Sequence, residues 1–409
     1  MIYVRIVLFV CHEINFMHYF HSIKNRFLGK FISLVSRDSS VGILLISLTI
    51  VTTIFANMSF STSFYFSLLE FKIFNVTFKH WINDVLMSFF FLMIGLEIKH
   101  ALIEGELSSW EKRSLPFFAA VGGMILPALI YLFFNRNDTI ALKGWAIPTT
   151  TDIAFTLGIL SLMGSHFPYA LKIFFIALTT IDDLIAVVII AIFYTQYLSF
   201  PDLGIATALT LLLLGFNRFG ITHCLIYGIF GGLLWFFTFK SGIHTTIAGV
   251  ILAMFLPFQK ISNTNQFSFN LLGNYLKPWV NFLVLPAFVF ANSGVSLSAF
   301  SLTDLFDPVI WGIILGLFLG KQIGIILFSF SLIKMKWGIL PKGSNWYLLY
   351  GGAILCGTGF TMSLFIACLA FPHSYLLQEK AKIGILLAST ISSIIASYLI
   401  KIAKNKKCL

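Results

Sequence analysis

The run Leu171-Lys172-Ile173-Phe174-Phe175-Ile176-Ala177-Leu178-Thr179-Thr180-Ile181-Asp182-Asp183-Leu184-Ile185-Ala186-Val187-Val188-Ile189-Ile190-Ala191-Ile192-Phe193-Tyr194 decides the fold class. It is continuous, apolar and long enough to cross a hydrocarbon core as one helix, which needs about 20 residues. Near its middle stand two adjacent carboxylic acids with no loop signal on either side. A charge at that depth costs at least about 2.5–3.5 kcal/mol, so it persists mainly where it has a function. Two more such groups lie near the centres of other apolar stretches: Asp152, in Thr149-Thr150-Thr151-Asp152-Ile153-Ala154-Phe155, and Lys321, in Gly320-Lys321-Gln322. Ionisable groups at similar depth in several spans are the pattern of an ion or proton pathway.

Composition agrees. Of 409 residues, 58% are hydrophobic and 11% charged, and the mean hydropathy is +0.93. A soluble domain could not keep so much apolar surface from water. A transmembrane barrel would instead show alternating strands of about ten residues. The class expected is an all-α membrane protein. Cys11, Cys224, Cys356, Cys368 and Cys408 have no metal-ligand spacing. The net charge of +11 is dispersed among loops and gives no nucleic-acid signal; the tail around Lys401, Lys404, Lys406 and Lys407 suits anionic headgroups.

The pattern predicts about twelve spans, at 41–57, 82–103, 115–134, 144–164, 169–195, 201–217, 222–236, 243–258, 277–299, 309–333, 346–371 and 378–402. An even count puts both termini on one side, and the lysine and arginine bias makes that side cytoplasmic. Residues 1–35 form an N-terminal extension without a small-residue cleavage site, with Met17 as an alternative start. A transmembrane domain covers 36–402, and 403–409 is a basic cytoplasmic tail. Within 58–80, the aromatic and β-branched runs Phe64–Leu69 and Phe71–Val76 predict a surface β-hairpin, which needs a partner sheet or subunit for stability.

Adjacent on one helix, Asp182 and Asp183 diverge by about 100°, so one can meet a counter-ion while the other binds a solute or proton. The plainer reading is an acid pair capping a loop. Lys321 is the natural counter-ion, on a stripe of Gly312, Gly316, Gly320 and Gly324 that lets a neighbouring helix approach. A lysine snorkelling to the interface is the plainer alternative, but the span extends too far on either side. Pro148 and the threonines before Asp152 interrupt one helix, and Gly357-Thr358-Gly359-Phe360-Thr361 interrupts another. Unwound backbone at membrane depth needs protein or water to satisfy it, and acids near the breaks compensate positive half-helix ends.

The runs Trp81-Ile82-Asn83-Asp84, Phe91-Leu92-Met93-Ile94-Gly95-Leu96-Glu97, Thr151-Asp152-Ile153-Ala154-Phe155, Ile181-Asp182-Asp183-Leu184, Lys240-Ser241-Gly242-Ile243-His244, Phe290-Ala291-Asn292-Ser293-Gly294-Val295, Gly320-Lys321 and Gly357-Thr358-Gly359-Phe360-Thr361 together resemble the NhaA-type sodium/proton antiporter family. The resemblance covers the chain from about Ser36 to about Lys401. It implies inverted repeats with two broken, crossing helices, an architecture for which this family is itself a stock example. It further implies that Asp182 and Asp183 bind Na⁺ and carry protons, with Thr151 as a further Na⁺ ligand and Lys321 as counter-charge. Asp152, Thr151, Gly357 and Gly359 would support the broken helices. Asp84, Glu97 and His244 would serve the cytoplasmic funnel and pH response. Glu97 as a helix cap beside Lys99, and His244 as a packing residue, are the plainer readings. Ala101 stands where an acid often occurs in the family, with Glu104 and Glu106 just beyond. The stretch Leu272-Gly273-Asn274-Tyr275-Leu276 lacks the acidic and histidine residues found there in the family, so the resemblance carries over the transport chemistry and not a pH set point.

The expected function is electrogenic exchange of Na⁺ (or Li⁺) for protons, serving sodium and pH homeostasis. No cofactor is implied, since Na⁺, Li⁺ and H⁺ are substrates. The expected setting is a bacterial inner membrane, with a homodimer formed through the 58–80 hairpin. An intramembrane aspartyl protease needs two carboxylates facing each other from different helices, which neighbours on one helix do not supply. A passive cation channel would meet Lys321 as a barrier.

Overall fold

A computed structural model of the chain describes residues 38–105, 107, 110–163, 167–195, 197–257, 269–296 and 301–405. The expected N-terminal extension, Cys11, Glu106 and the end of the basic tail (Lys406, Lys407 and Cys408) lie outside the described residues. In chain order the elements are α1 (Asp38–Asn57), α2 (Thr62–Glu70), β1 (Lys72–Ile73), β2 (Val76–Thr77), α3 (Phe78–Ile103) and α4 (Trp110–Asn135). A 3₁₀ segment at Ala141–Thr149 leads to α5 (Ile153–Met163), followed by α6 (Tyr169–Phe193), α7 (Phe200–Arg218), α8 (Cys224–Ser241) and α9 (Thr246–Phe255). Then come α10 (Phe269–Trp279), α11 (Leu285–Asn292), α12 (Pro308–Lys334), α13 (Trp346–Leu355), α14 (Phe360–Ala370) and α15 (Tyr375–Asn405). Among the described residues nine helical segments are long and apolar enough to cross a membrane, or ten if α13 and α14, bent by 43°, form one span. The chain is an all-α membrane protein.

The described fold divides into two compact units. One holds Lys72–Lys99 and Ile190–Phe288. Helix α9 has 10 residues, and its last carbonyls would be left orphaned. Lys99 Nζ donates to Met254 O at 2.7 Å and to Leu256 O, and Asn217 Nδ2 donates to Phe255 O at 2.8 Å. Lys99 thus caps the C-terminal end of α9. Glycine lets α3 and α9 touch backbone to backbone: a Cβ on Gly249 would lie 2.4 Å from Ser88 O. Gly242 ends α8 in the left-handed region, at φ +84, where a Cβ would also strike Tyr197 O.

The other unit holds Asp38–Phe71, His100–Ile189 and the chain from Val289 onward. Here α4 and α12 pack closely along the predicted glycine stripe. A Cβ on Gly324 would lie 2.1 Å from Gly122 O, and one on Gly320 would lie 2.8 Å from Pro127 Cα. The stripe therefore faces α4 and does not itself bring a carboxylate close. A π turn at Gly316–Gly320 interrupts α12 just before Lys321, and another at Ile82–Leu86 surrounds Asp84. Each π turn adds a residue to one helical turn and re-aims the side chains beyond it.

The predicted hairpin is corrected in its first arm. Residues Thr62–Glu70 are helical, and strand pairing is confined to Lys72–Thr77 and Ile73–Val76. Tertiary docking overrides the aromatic β-propensity: Tyr65 and Leu69, one turn apart, are both buried. The Tyr65 hydroxyl donates to Phe290 O at 2.7 Å, and its ring meets Phe290 edge-on. Burial, aided by the charge of Glu379, pushes the Tyr65 hydroxyl up from its ordinary pKa, so it stays a donor. The two-residue turn has φ +50 at Phe74 and +63 at Asn75, as a type I′ hairpin requires.

Candidate functional site

Asp152 lies where two helices are interrupted. After the 3₁₀ segment the chain runs without helical bonds through Thr150, Thr151 and Asp152, then enters α5; between α13 and α14 it does the same around Gly357–Gly359. Both interruptions occur where proline, threonine and glycine were clustered in the sequence. Asp152 Oδ1 accepts the Phe155 N–H at 2.9 Å, capping α5. Its Oδ2 accepts the Thr361 N–H at 3.0 Å and the Thr361 hydroxyl, capping α14. One buried carboxylate thus sits against the positive ends of two half-helices.

Backbone groups freed by one interruption find partners in the other. The Asp152 N–H donates to Thr358 O at 2.8 Å, and Thr151 Oγ1 donates to Cys356 O at 3.0 Å. Thr156 and Thr358 hydroxyls lie 3.0 Å apart, and the Ser363 hydroxyl reaches Ile147 O at 2.8 Å. Gly357 and Gly359 provide closeness, with no left-handed backbone involved. A Cβ on Gly357 would lie 2.5 Å from Leu317 O, and one on Gly359 would lie 2.0 Å from Ser363 Oγ.

Next to this pair runs α6 with the two acids, each 1% exposed. Lys321 Nζ donates to Asp182 Oδ2 at 2.6 Å, and both side chains are fully buried. Thr151 Oγ1 approaches the same oxygen at 2.9 Å, which links the interrupted helices to the acid pair. Asp182 Oδ1 is buried and takes no hydrogen bond. The lysine stem is accommodated at Gly123 of α4, where a Cβ would lie 3.7 Å from Lys321 Cδ. The expected counter-ion and the expected acid therefore meet, with Thr151, Asp152, Gly357 and Gly359 around them. A carboxylate oxygen engaged by ammonium and hydroxyl, beside a second buried acid, can exchange those partners for a hard cation or a proton. A proton shared between facing acids would need other geometry, since Asp152 is turned to helix ends and Asp182 to Lys321.

In the other unit, His244 Nε2 lies 3.7 Å from Asp84 Oδ1, and its Nδ1 is 2.9 Å from Thr246 Oγ1. Thr245 Oγ1 reaches Asp84 O at 3.3 Å. Asp84 and His244 are thus brought together. Glu97 is thirteen residues further along α3, about 20 Å by helical rise, and does not join them. Sequence reasoning missed Thr156, Ser363, Ser389 and the Cys356 carbonyl. Ser389 Oγ accepts the Phe360 N–H at 3.3 Å from a different helix. Only an excess of hydroxyls in otherwise apolar spans could have signalled them.

Comparison with known proteins places this geometry in context. The family model described as Na⁺/H⁺ antiporter 1 matches residues 33–400. The Na(+)/H(+) antiporter NhaA of Nitrobacter hamburgensis is 45% identical over 373 residues, covering 91% of this chain and 91% of its own length. NhaA 1 of Pseudomonas savastanoi pv. phaseolicola is 46% identical, covering 93% and 98%. NhaA 2 of Pseudomonas syringae pv. syringae is 48% identical, covering 88% and 91%.

Proposed function

We propose, for a chain that belongs to the Na⁺/H⁺ antiporter 1 family and is a Na⁺/H⁺ antiporter, that exchange runs through one site built on Asp182 and Asp183. The observation that carries this is the Lys321–Asp182–Thr151 cluster at 2.6 and 2.9 Å, fully enclosed beside Asp183. Dehydrated Na⁺ or Li⁺ needs hard oxygen ligands. Ionised Asp182 and Asp183, with the Thr151 hydroxyl, supply them, and protonation withdraws them. One site then holds metal ion or protons but not both. Lys321 neutralises Asp182 when the cation is absent. Presenting the site alternately to each side converts competition into exchange. Moving more protons than sodium ions per cycle makes that exchange electrogenic, and it serves sodium and pH homeostasis.

Twelve spans result if α9 and the segment from α10 to α11 also cross, with α13 and α14 as one broken span. The interrupted helices then cross at mid-membrane, and both termini face the cytoplasm across a bacterial inner membrane. The domain limits are 36–402 with a basic tail at 403–409. Asp84, His244 and Glu97 tune the cytoplasmic entrance and its response to pH; the 3.7 Å approach of His244 to Asp84 supports the first two. A homodimer forms through the hairpin, whose Phe71 and Phe74 are 60% and 81% exposed. Everted membrane vesicles holding a proton gradient test the core of this reading. Na⁺ and Li⁺ should dissipate the gradient in a saturable, pH-dependent way while K⁺ does not. Dissipation that leaves no net charge movement would refute electrogenic exchange through this site.

A further inference from the structure

A groove away from the acid pair, beside the first turns of α6, has the composition of a lipid site. It encloses about 560 Å³ between Leu115 and Pro116 of α4, Ile173 and Phe174 of α6, and the loop from Lys336 to Pro341 that comes after α12. All these residues belong to one unit. The walls are apolar, whereas Lys336 lines the groove, with Lys334 at the end of α12, Lys342 just past the loop and no acid between 333 and 345. Trp337 and Ile339 are 64% and 87% exposed beside it.

Two details bear on what the mouth could hold. Helix α12 ends in a Schellman motif: the Trp337 N–H donates to Leu332 O at 3.0 Å and the Lys336 N–H to Ile333 O at 3.1 Å. Lys336 therefore occupies the left-handed position, at φ +61, that glycine fills without steric cost. A long cationic side chain is kept there, lining the groove, against a backbone preference. Arg113 supplies the second detail. Its Nε is buried without a hydrogen-bond partner, and its guanidinium carbon lies 5.2 Å from the Trp110 ring. The next residue, Ser114, donates to Trp337 O at 3.3 Å, which ties the start of α4 to the lysine loop.

We propose that this groove binds an anionic phospholipid, one acyl chain against Leu115, Ile173 and Phe174 and the phosphate between Lys336 and Arg113. Charge complementarity selects the headgroup, and the apolar walls select a lipid over a free anion. The protein, purified in non-ionic detergent and stripped of lipid, should gain thermal stability with phosphatidylglycerol but not with phosphatidylcholine or inorganic phosphate. Lys336→Gly is the decisive variant, because glycine relieves the backbone at that position. Its stability without lipid should equal or exceed the parent's. Its affinity for phosphatidylglycerol should fall about tenfold, the weight of one charge-assisted hydrogen bond. Arg113→Gln should weaken binding similarly; should it not fold, Lys336→Gly alone decides. An equal gain with phosphatidylcholine, a full gain with inorganic phosphate, or an undiminished phosphatidylglycerol effect in Lys336→Gly would each overturn the assignment.

Discussion

Replacing Lys321 by alanine tests whether this lysine is a counter-charge or a proton carrier. Its ammonium lies 2.6 Å from Asp182 Oδ2 with both side chains at 0% exposure. Removing it leaves Asp182 with the Thr151 hydroxyl at 2.9 Å, whose single proton is shared with Cys356 O. Breaking one side of a buried pair costs about 3–5 kcal/mol. The vacated stem space beside Gly123 adds to that loss. For a protein of this size the fall in Tm is on the order of 5 °C. Thermal unfolding in detergent measures it. Asp182→Asn introduced into the same chain should recover part of the loss, because the stranded charge is gone, and the cycle should show a coupling of about 1–3 kcal/mol. Additive losses would refute the pairing. Lys321→Arg separates the second role, since arginine keeps the charge and does not release a proton at accessible pH. Electrogenic exchange in Lys321→Arg would make the lysine a counter-charge only; electroneutral exchange would place it among the proton carriers.

Asp183→Asn should abolish Na⁺-dependent dissipation of a proton gradient at normal abundance in the membrane; robust exchange at any pH would overturn the acid-pair assignment. Gly357→Ala should cost about 1–3 kcal/mol by overpacking, since its Cβ meets Leu317 O at 2.5 Å and Ser392 Oγ at 2.7 Å. Gly204→Ala, with nothing within 4 Å, should be neutral or slightly stabilising, and equal thermal shifts for the two would count against this geometry. Phe71→Ser with Phe74→Asn keeps the Tyr65 anchor and suits the left-handed backbone at position 74. It should move a detergent-solubilised dimer towards monomer while exchange persists; an unchanged size distribution would sink assembly through the hairpin.

Much of the site was legible because charge at membrane depth is costly. Asp152, Asp182, Asp183 and Lys321 stood out against apolar runs, and proline, threonine and glycine marked both interruptions. The hidden features have physical causes. The helical form of Thr62–Glu70 depends on a pocket that receives Tyr65, supplied by residues more than two hundred positions away. The π turn before Lys321 has no composition signal, since it reflects how α12 packs on α4. The glycine stripe was correctly read as a close approach, but four-residue spacing does not say which neighbour approaches. Hydroxyls such as Ser363 and Ser389 look like ordinary small residues until the carbonyl or N–H they serve is in place.

The mutual bonding of the two interruptions has a mechanical consequence. Straightening either helix would strand Asp152 Oδ2, Thr358 O and Cys356 O, because each is satisfied across the gap. Neither break can heal alone, so the two behave as a single stiff hub. On the alternating-access reading proposed above, exposure of Asp182 to either side is expected to change by carrying that hub whole, like a keystone shifted with its arch.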